Sequence, residues 1–141
     1  MPNKFSLKEA KNKLDEMTSE YTLTGRIDLI RLLDEEKVLN ELENPALMWE
    51  RKLRIGTPKF EGDPRPCYDY YSFLYGFNIH LSPSCSSKPI SDPRFNPHVF
   101  IRYHNAELVI TGDKSEKLYN HVDVYISNLP QNRFKKKWLK Q

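Results

Sequence analysis

The residues best suited to acid–base chemistry are four histidines, His80, His98, His104 and His121. Histidine exchanges protons near neutral pH, and two histidines can serve as general base and general acid in RNA cleavage. His80, His98 and His104 lie in or beside segments that predict strands, and adjacent strands can bring two such side chains together. These three are therefore candidate catalytic residues, although no motif ties their spacing to a mechanism.

Sequence motifs for metals and nucleotide cofactors are missing from the chain. Asp69, His80, Asp92 and His98 carry ligand atoms, but neither an HExxH motif nor a paired histidine or cysteine spacing joins them. The chain contains no GxGxxG and no GxxxxGK[ST] phosphate loop. We therefore expect no metal site and no cofactor.

A basic segment near the end of the chain is the strongest functional signal. Five cations lie within eight residues, next to Phe134 and Trp138. The cations are Arg133, Lys135, Lys136, Lys137 and Lys140. Lysine and arginine neutralise phosphates and release counterions, while an aromatic ring stacks on an exposed base. The segment therefore predicts a nucleic-acid-binding site with Trp138 as the stacking ring; the alternatives are a solubilising tail or an anchor on the acidic N-terminal helices.

Charge is unevenly distributed along the 141 residues, although the net charge is only +3. Residues 1–50 hold 7 Lys and Arg against 11 Asp and Glu, whereas residues 51–141 hold 15 against 8. A charged fraction of 29% with a net charge of only +3 argues against wholesale disorder, although the apolar fraction of 38% is on the low side. No apolar run approaches the ~18 residues of a membrane span. The composition predicts a small soluble protein whose two parts differ in charge.

Helical periodicity marks both ends of the chain. Residues 6–9 match a capping box, and apolar side chains recur every three or four positions over 7–21. A second helical pattern covers 27–42 and stops before an Asn-Pro pair. Near the other end, 113–116 resembles a capping box with its Asp as the cap, and an amphipathic stripe follows over 118–129. The chain is therefore expected to begin with two helices and to end with one.

The middle of the chain alternates in the manner of strands. Aromatic and aliphatic residues occupy the odd positions from 71 to 81, which predicts that this set faces the core. Tyr68 and Tyr70 then fall on the other face, where a covering helix would bury them. Gly76 either marks a bulge or bend in one strand or splits the run into a tight hairpin. Residues 99–111 predict an antiparallel hairpin around a short polar turn.

The order of these elements defines the expected fold class. Helices and strands that are segregated along the chain favour an α+β fold. We expect two N-terminal helices, a small and mostly antiparallel sheet that includes the 99–111 hairpin, and a C-terminal amphipathic helix followed by the basic tail. Residues 1–130 are expected to form a single domain, with 131–141 as the tail.

Together, these patterns favour a small non-enzymatic binding or assembly protein that associates with nucleic acid or a ribonucleoprotein. One alternative is a protein–protein interaction module, such as an inhibitor, an immunity-type protein or a complex subunit. The other is a small metal-independent ribonuclease that uses a histidine pair. Cys67 and Cys85 are expected to be free thiols in a reducing compartment. The first residues lack the apolar stretch of a secretory signal, so a cytoplasmic location without a membrane partner is expected.

Overall fold

The computed structural model describes residues 4–24, 29–54, 67–83, 96–104 and 106–129. In chain order the elements are α1 (Leu7–Thr24), α2 (Leu29–Leu32), α3 (Glu35–Leu42), β1 (Glu50–Arg54), β2 (Cys67–Leu74), β3 (Phe77–Ser82), β4 (His98–Tyr103), β5 (Ala106–Ile110) and α4 (Asp113–Ser127). The strands form one antiparallel sheet in the order β1-β2-β3-β4-β5. The predicted α+β class, hairpin and C-terminal helix are confirmed. The basic tail lies outside the described residues.

Side-chain caps determine where α1 and α3 begin. The Ser6 hydroxyl accepts a hydrogen bond from the Glu9 amide at 3.4 Å, and the Glu9 carboxylate accepts one from the Ser6 amide at 3.2 Å. This reciprocal pair is the predicted capping box. The Asp34 carboxylate accepts from the amides of Glu36 and Lys37 at 3.0 and 3.2 Å. Because this cap starts a new helix, the predicted second helix is divided into α2 and α3.

Helix α4 begins without the predicted aspartate cap. Its N-cap is Gly112, with φ 84° and ψ −153°, a conformation that is almost confined to glycine. The Ser115 hydroxyl lies 2.8 Å from the Gly112 carbonyl oxygen and 2.7 Å from that of Pro97. The capping prediction is wrong because the chain enters the helix one residue earlier, which places Asp113 in the first turn.

The run over 71–81 is a hairpin with a two-residue turn, which is the second of the two alternatives predicted at Gly76. Tyr75 and Gly76 form the turn, with φ values of 51° and 85°, and positive φ at both positions is what the tight type I′ hairpin turn requires. The turn pairs Leu74 with Phe77, so an even-numbered and an odd-numbered residue share a face. The core-facing positions are therefore even-numbered in β2 and odd-numbered in β3, a change of parity at the turn.

This change of parity decides which rings enter the core. Tyr70 on β2 is fully buried, as are Phe77 and Ile79 on β3. Phe73 is 66% exposed and Tyr71 is 38% exposed. The prediction that the odd-numbered set faces the core is therefore right for β3 and wrong for β2, because the turn exchanges the two faces.

One sheet face and the four helices share a hydrophobic core. The buried residues of the helices are Leu7, Ala10, Leu14, Leu29, Val38, Leu39, Leu42, Leu118, Tyr119, Val122 and Ile126. Those of the sheet are Tyr70, Phe77, Ile79, Leu81, Val99, Ile101, Ala106, Leu108 and Ile110. The side chains that alternate with this second set lie on the opposite face, which we call the open face because Tyr71, Phe73 and Val109 are exposed on it; its Asp69 and Ser82 are buried. It carries Glu50, Lys52, Asp69, Tyr71, Phe73, Asn78, His80, Ser82, His98, Phe100, Arg102, Glu107 and Val109.

A buried tyrosine should make the stability of the protein sensitive to alkaline pH. The Tyr70 hydroxyl donates to the Asp123 carboxylate of α4. Burial, followed by the negative charge of Asp123, raises the pKa of Tyr70 above its ordinary value of 10.0. The unfolded chain therefore loses this proton near pH 10 while the folded chain keeps it. The free energy of unfolding is unaffected by this group below that pH and falls as the pH rises above it.

We expect Tyr70→Phe to lower the free energy of unfolding at pH 7 by about 1–3 kcal/mol, because the hydrogen bond to a charged acceptor is removed. Between roughly pH 9 and 11 the free energy of unfolding of the variant should fall less steeply than that of the wild type. Urea denaturation followed by circular dichroism measures both effects. Tyr75→Phe, which changes a half-exposed turn residue, is the control and should keep the wild-type slope. Equal slopes for Tyr70→Phe and wild type would contradict the prediction.

Candidate functional site on the open face

The strand register arranges the open face in three rows. From β1 to β5, the middle row is Glu50, Tyr71, His80, Phe100 and Val109. The row nearer the turn between β2 and β3 is Phe73, Asn78, Arg102 and Glu107. The row on the other side pairs Lys52 with Asp69, and Ser82 with His98. A band of rings therefore crosses the centre of the sheet between rows that carry mainly polar and charged groups.

The rings of the middle row stack across neighbouring strands. Tyr71 and His80 have centroids 4.4 Å apart and planes inclined by 11°. His80 and Phe100 are 5.5 Å apart at 26°, and His98 stacks on Phe100 at 6.0 Å and 20°. The spacing follows from the ~4.8 Å between strands, which brings register-paired rings into face-to-face contact. The Arg102 guanidinium lies 5.1 Å from the Phe100 centroid, a cation–π distance.

A carboxylate orients the central histidine of this band. His80 Nε2 lies 2.7 Å from Asp69 Oδ1, and the side chains are 16% and 9% exposed. A carboxylate accepts hydrogen bonds, so Nε2 is the donor and carries the hydrogen. In the neutral ring, Nδ1 then holds the lone pair. Between Tyr71 and Phe100, with Nε2 bonded, His80 has both its ring position and its tautomer fixed.

The structure brings two of the three candidate histidines to the same ring. His98 Nδ1 lies 2.8 Å from the carbonyl oxygen of Asn96, so Nδ1 is the donor and Nε2 is left for other partners. His80 and His98 both stack on Phe100. His104 lies in the turn between β4 and β5 and packs edge-on against Tyr103 at 4.5 Å. Five residues of β4 lie between it and His98, a separation of roughly 20 Å along an extended strand.

Two of the possible metal ligands, Asp69 and His80, form a hydrogen bond with each other. In the described parts of the chain, no three His, Cys, Asp or Glu side chains are grouped to hold a metal ion. Asp92 and Cys85 lie outside those parts, as does the whole nucleic-acid-binding set. That set is Arg133, Lys135, Lys136, Lys137, Trp138 and Lys140.

Sequence reasoning missed two features of the open face. Phe73 was assigned to the core, although it is the most exposed large hydrophobic residue of the described chain; the hairpin alternative at Gly76, followed through to the strand faces, would have corrected this. The Asp69–His80 pair has no local signal, because eleven positions separate the two residues and only the β2–β3 register joins them. The row nearer the turn between β2 and β3 also contains an ion pair between Arg102 Nε and Glu107 Oε2 at 2.5 Å.

Comparison with known proteins assigns no family to the chain: no family model matches it, and neither a curated protein nor a solved structure is significantly similar. None of the helices in the described ranges is long and apolar enough to cross a membrane. The interpretation of the site therefore depends on its own geometry and chemistry.

Proposed function

We propose that the protein binds single-stranded nucleic acid, alone or within a ribonucleoprotein, with the bases on the open face. The observation that carries this proposal is the exposed Phe73 ring beside the stacked band of Tyr71, His80 and Phe100. Unpaired bases stack on aromatic side chains of sheets, and each such contact is worth about 1–3 kcal/mol. Duplexes keep their bases stacked internally, so single strands are the preferred ligand.

The distribution of charge places the main electrostatic attraction in the basic tail. The acidic excess of residues 1–50 falls largely in α1 and α3, which pack on the core side of the sheet. On the open face, Lys52 and Arg102 stand beside Glu50, Asp69 and Glu107, so this face offers stacking surface rather than positive charge. Residues 51–141 carry 15 Lys and Arg against 8 Asp and Glu, five of the cations lie in the tail, and the tail is therefore the segment that attracts a phosphate backbone.

Removal of the exposed ring should weaken binding without unfolding the protein. We expect Phe73→Ala to raise the Kd for a labelled single-stranded RNA by roughly 5- to 150-fold, the equivalent of about 1–3 kcal/mol. Fluorescence anisotropy at 50 mM and 200 mM salt measures the Kd, and the Kd for duplex DNA is measured for comparison. Val124→Ala, at an exposed apolar position on α4, is the matched control. An unchanged Kd for Phe73→Ala would refute base stacking at this position.

The open face also favours a second candidate function, which is protein–protein interaction. Phe73, Tyr71 and Val109 are large hydrophobic side chains exposed on this one face, and exposed apolar surface is typical of interfaces. An interaction module would show a stoichiometric partner and indifference to nucleic acid. Failure of the full-length protein to bind RNA or DNA at 50 mM salt would favour this second function over the first.

A further inference from the structure

We infer that the open face also cleaves bound RNA, with His80 as the general base and His98 as the general acid. The inference rests on the proposed function, because the strand must lie across the open face for its phosphates to reach both rings. It is carried by one juxtaposition: an aspartate-oriented histidine and a backbone-oriented histidine stack on the same phenylalanine, Phe100.

His80 has the geometry of a prepared base. Its Nε2 donates to Asp69 at 2.7 Å, which leaves Nδ1 as the proton acceptor in the neutral ring. Tyr71 and Phe100 stack on the His80 ring, whose side chain is 16% exposed. The Asp69 carboxylate also stabilises the imidazolium that forms when Nδ1 takes up a proton, as an aspartate does for a catalytic histidine. Asp69 is therefore a positioning residue.

His98 has the complementary arrangement. Its Nδ1 donates to the Asn96 carbonyl at 2.8 Å, so Nε2 is the nitrogen that remains for a ligand. The His80 and His98 ring centroids lie 5.5 and 6.0 Å from that of Phe100, and are therefore at most 11.5 Å apart, the sum of these two distances. One phosphate group with a hydrogen bond of about 3 Å on each side can reach both rings across such a span.

Positive charge for the transition state is present at the same ring. The Arg102 guanidinium lies 5.1 Å from the Phe100 centroid, and its side chain is half-exposed while it pairs with Glu107. A fixed cation beside the reacting phosphate stabilises the negative charge that develops on its oxygens. His80, His98 and Arg102 thus supply a base, an acid and an electrostatic stabiliser around one residue.

The chemical step is an intramolecular transesterification. His80 Nδ1 takes the proton of a 2′-hydroxyl, the 2′-oxygen forms a bond to the adjacent phosphorus, and the bond from phosphorus to the 5′-oxygen breaks. The departing electron pair stays on the 5′-oxygen, which takes a proton from Nε2 of the imidazolium form of His98. The products are a 2′,3′-cyclic phosphate and a 5′-hydroxyl. The step consumes no co-reactant, and proton exchange with water restores both histidines.

The test uses the full-length protein, a labelled single-stranded RNA and the same strand with 2′-O-methyl at every position, all in EDTA. Wild-type protein should cleave the RNA, leave the methylated strand intact, and give cyclic phosphate ends in mass spectrometry. His80→Ala should lower the cleavage rate at least 100-fold. His121→Ala, at an exposed position on α4, is the matched control and should keep the wild-type rate.

Two further variants test the assignment even if His80→Ala does not fold. His98→Ala should also slow cleavage at least 100-fold while thermal melting followed by circular dichroism stays cooperative. Asp69→Asn should slow cleavage and shift its pH profile, with little change in the Kd for the methylated strand, because the amide retains a hydrogen bond but loses the charge. Full cleavage by His98→Ala, or by a folded His80→Ala, overturns the assignment.

Binding to the methylated strand separates the two proposals. If wild-type protein binds this strand but leaves the RNA intact, the cleavage inference fails and the binding function stands. If it neither binds nor cleaves, the proposed function fails and the inference fails with it. Cleavage that is lost in His80→Ala and retained in His121→Ala supports both.

Discussion

Phe77→Ala should lower the free energy of unfolding by about 3–5 kcal/mol, whereas Phe73→Ala should change it by less than about 0.5 kcal/mol. Phe77 is fully buried, with its ring 5.1 Å from that of Tyr103, so truncation leaves a cavity in the core. Phe73 is 66% exposed on the open face and loses little on truncation. Both residues are phenylalanines at odd-numbered positions, and they lie four positions apart in one hairpin.

Urea denaturation followed by circular dichroism, at one pH and one protein concentration, measures the two changes side by side. The pair isolates the effect of the Tyr75-Gly76 turn, because an alternation that continued through a bulged single strand would bury both rings equally. Equal destabilisation by both variants would show that the parity does not change there. The same Phe73→Ala protein should lose affinity for RNA while keeping its stability, which separates binding from folding at one position.

Removal of residues 131–141 should weaken binding of single-stranded RNA by roughly 10²–10⁴-fold at 50 mM salt. Five cations leave with this segment, and each phosphate contact on a single strand contributes about 0.7 to the slope of log K against log salt. The slope should therefore fall by up to about 3.5 in magnitude. Anisotropy titrations of full-length and 1–130 protein across 50–400 mM salt measure both quantities.

Two full-length variants separate the contribution of the tail's positive charge to binding from the contribution of its tryptophan ring. Replacement of Arg133, Lys135, Lys136, Lys137 and Lys140 by glutamine should reproduce the loss of salt dependence. Trp138→Ala should lower the affinity by a stacking contribution of about 1–3 kcal/mol and leave the slope unchanged. Binding that is insensitive to salt, or that survives truncation intact, would exclude the tail as a phosphate-binding segment.

The two binding elements differ in their physical contribution. The tail supplies charge, which attracts any polyanion and weakens with salt. Stacking on Phe73 requires an unpaired base and is much less sensitive to salt. The Phe73→Ala protein should therefore lose discrimination between single-stranded and duplex ligands, whereas the 1–130 protein should lose overall affinity for both.

Local patterns in the sequence were sufficient for the fold class and for α1, the β4–β5 hairpin and the C-terminal helix. The capping box at Ser6 and Glu9, the amphipathic stripe of α4 and the polar turn between β4 and β5 all depend on residues within a few positions of each other. Such signals act through the backbone hydrogen bonds and side-chain spacing of one segment. The chemical types present on the open face, namely histidines, aromatic rings and cations, were also visible without the fold.

Tertiary structure alone decided which of these groups meet. A two-residue turn exchanged the faces of β2 and β3, so Tyr70 entered the core and Phe73 was exposed. The same register joined Asp69 to His80, while the β3–β4 pairing placed His80 beside Phe100, whose other neighbour His98 lies two positions away on β4. Register and turn geometry act between segments distant in sequence, and a shift of one residue would reverse every face. The composition of the site was therefore determined by the sequence, and its assembly by the packing of the strands.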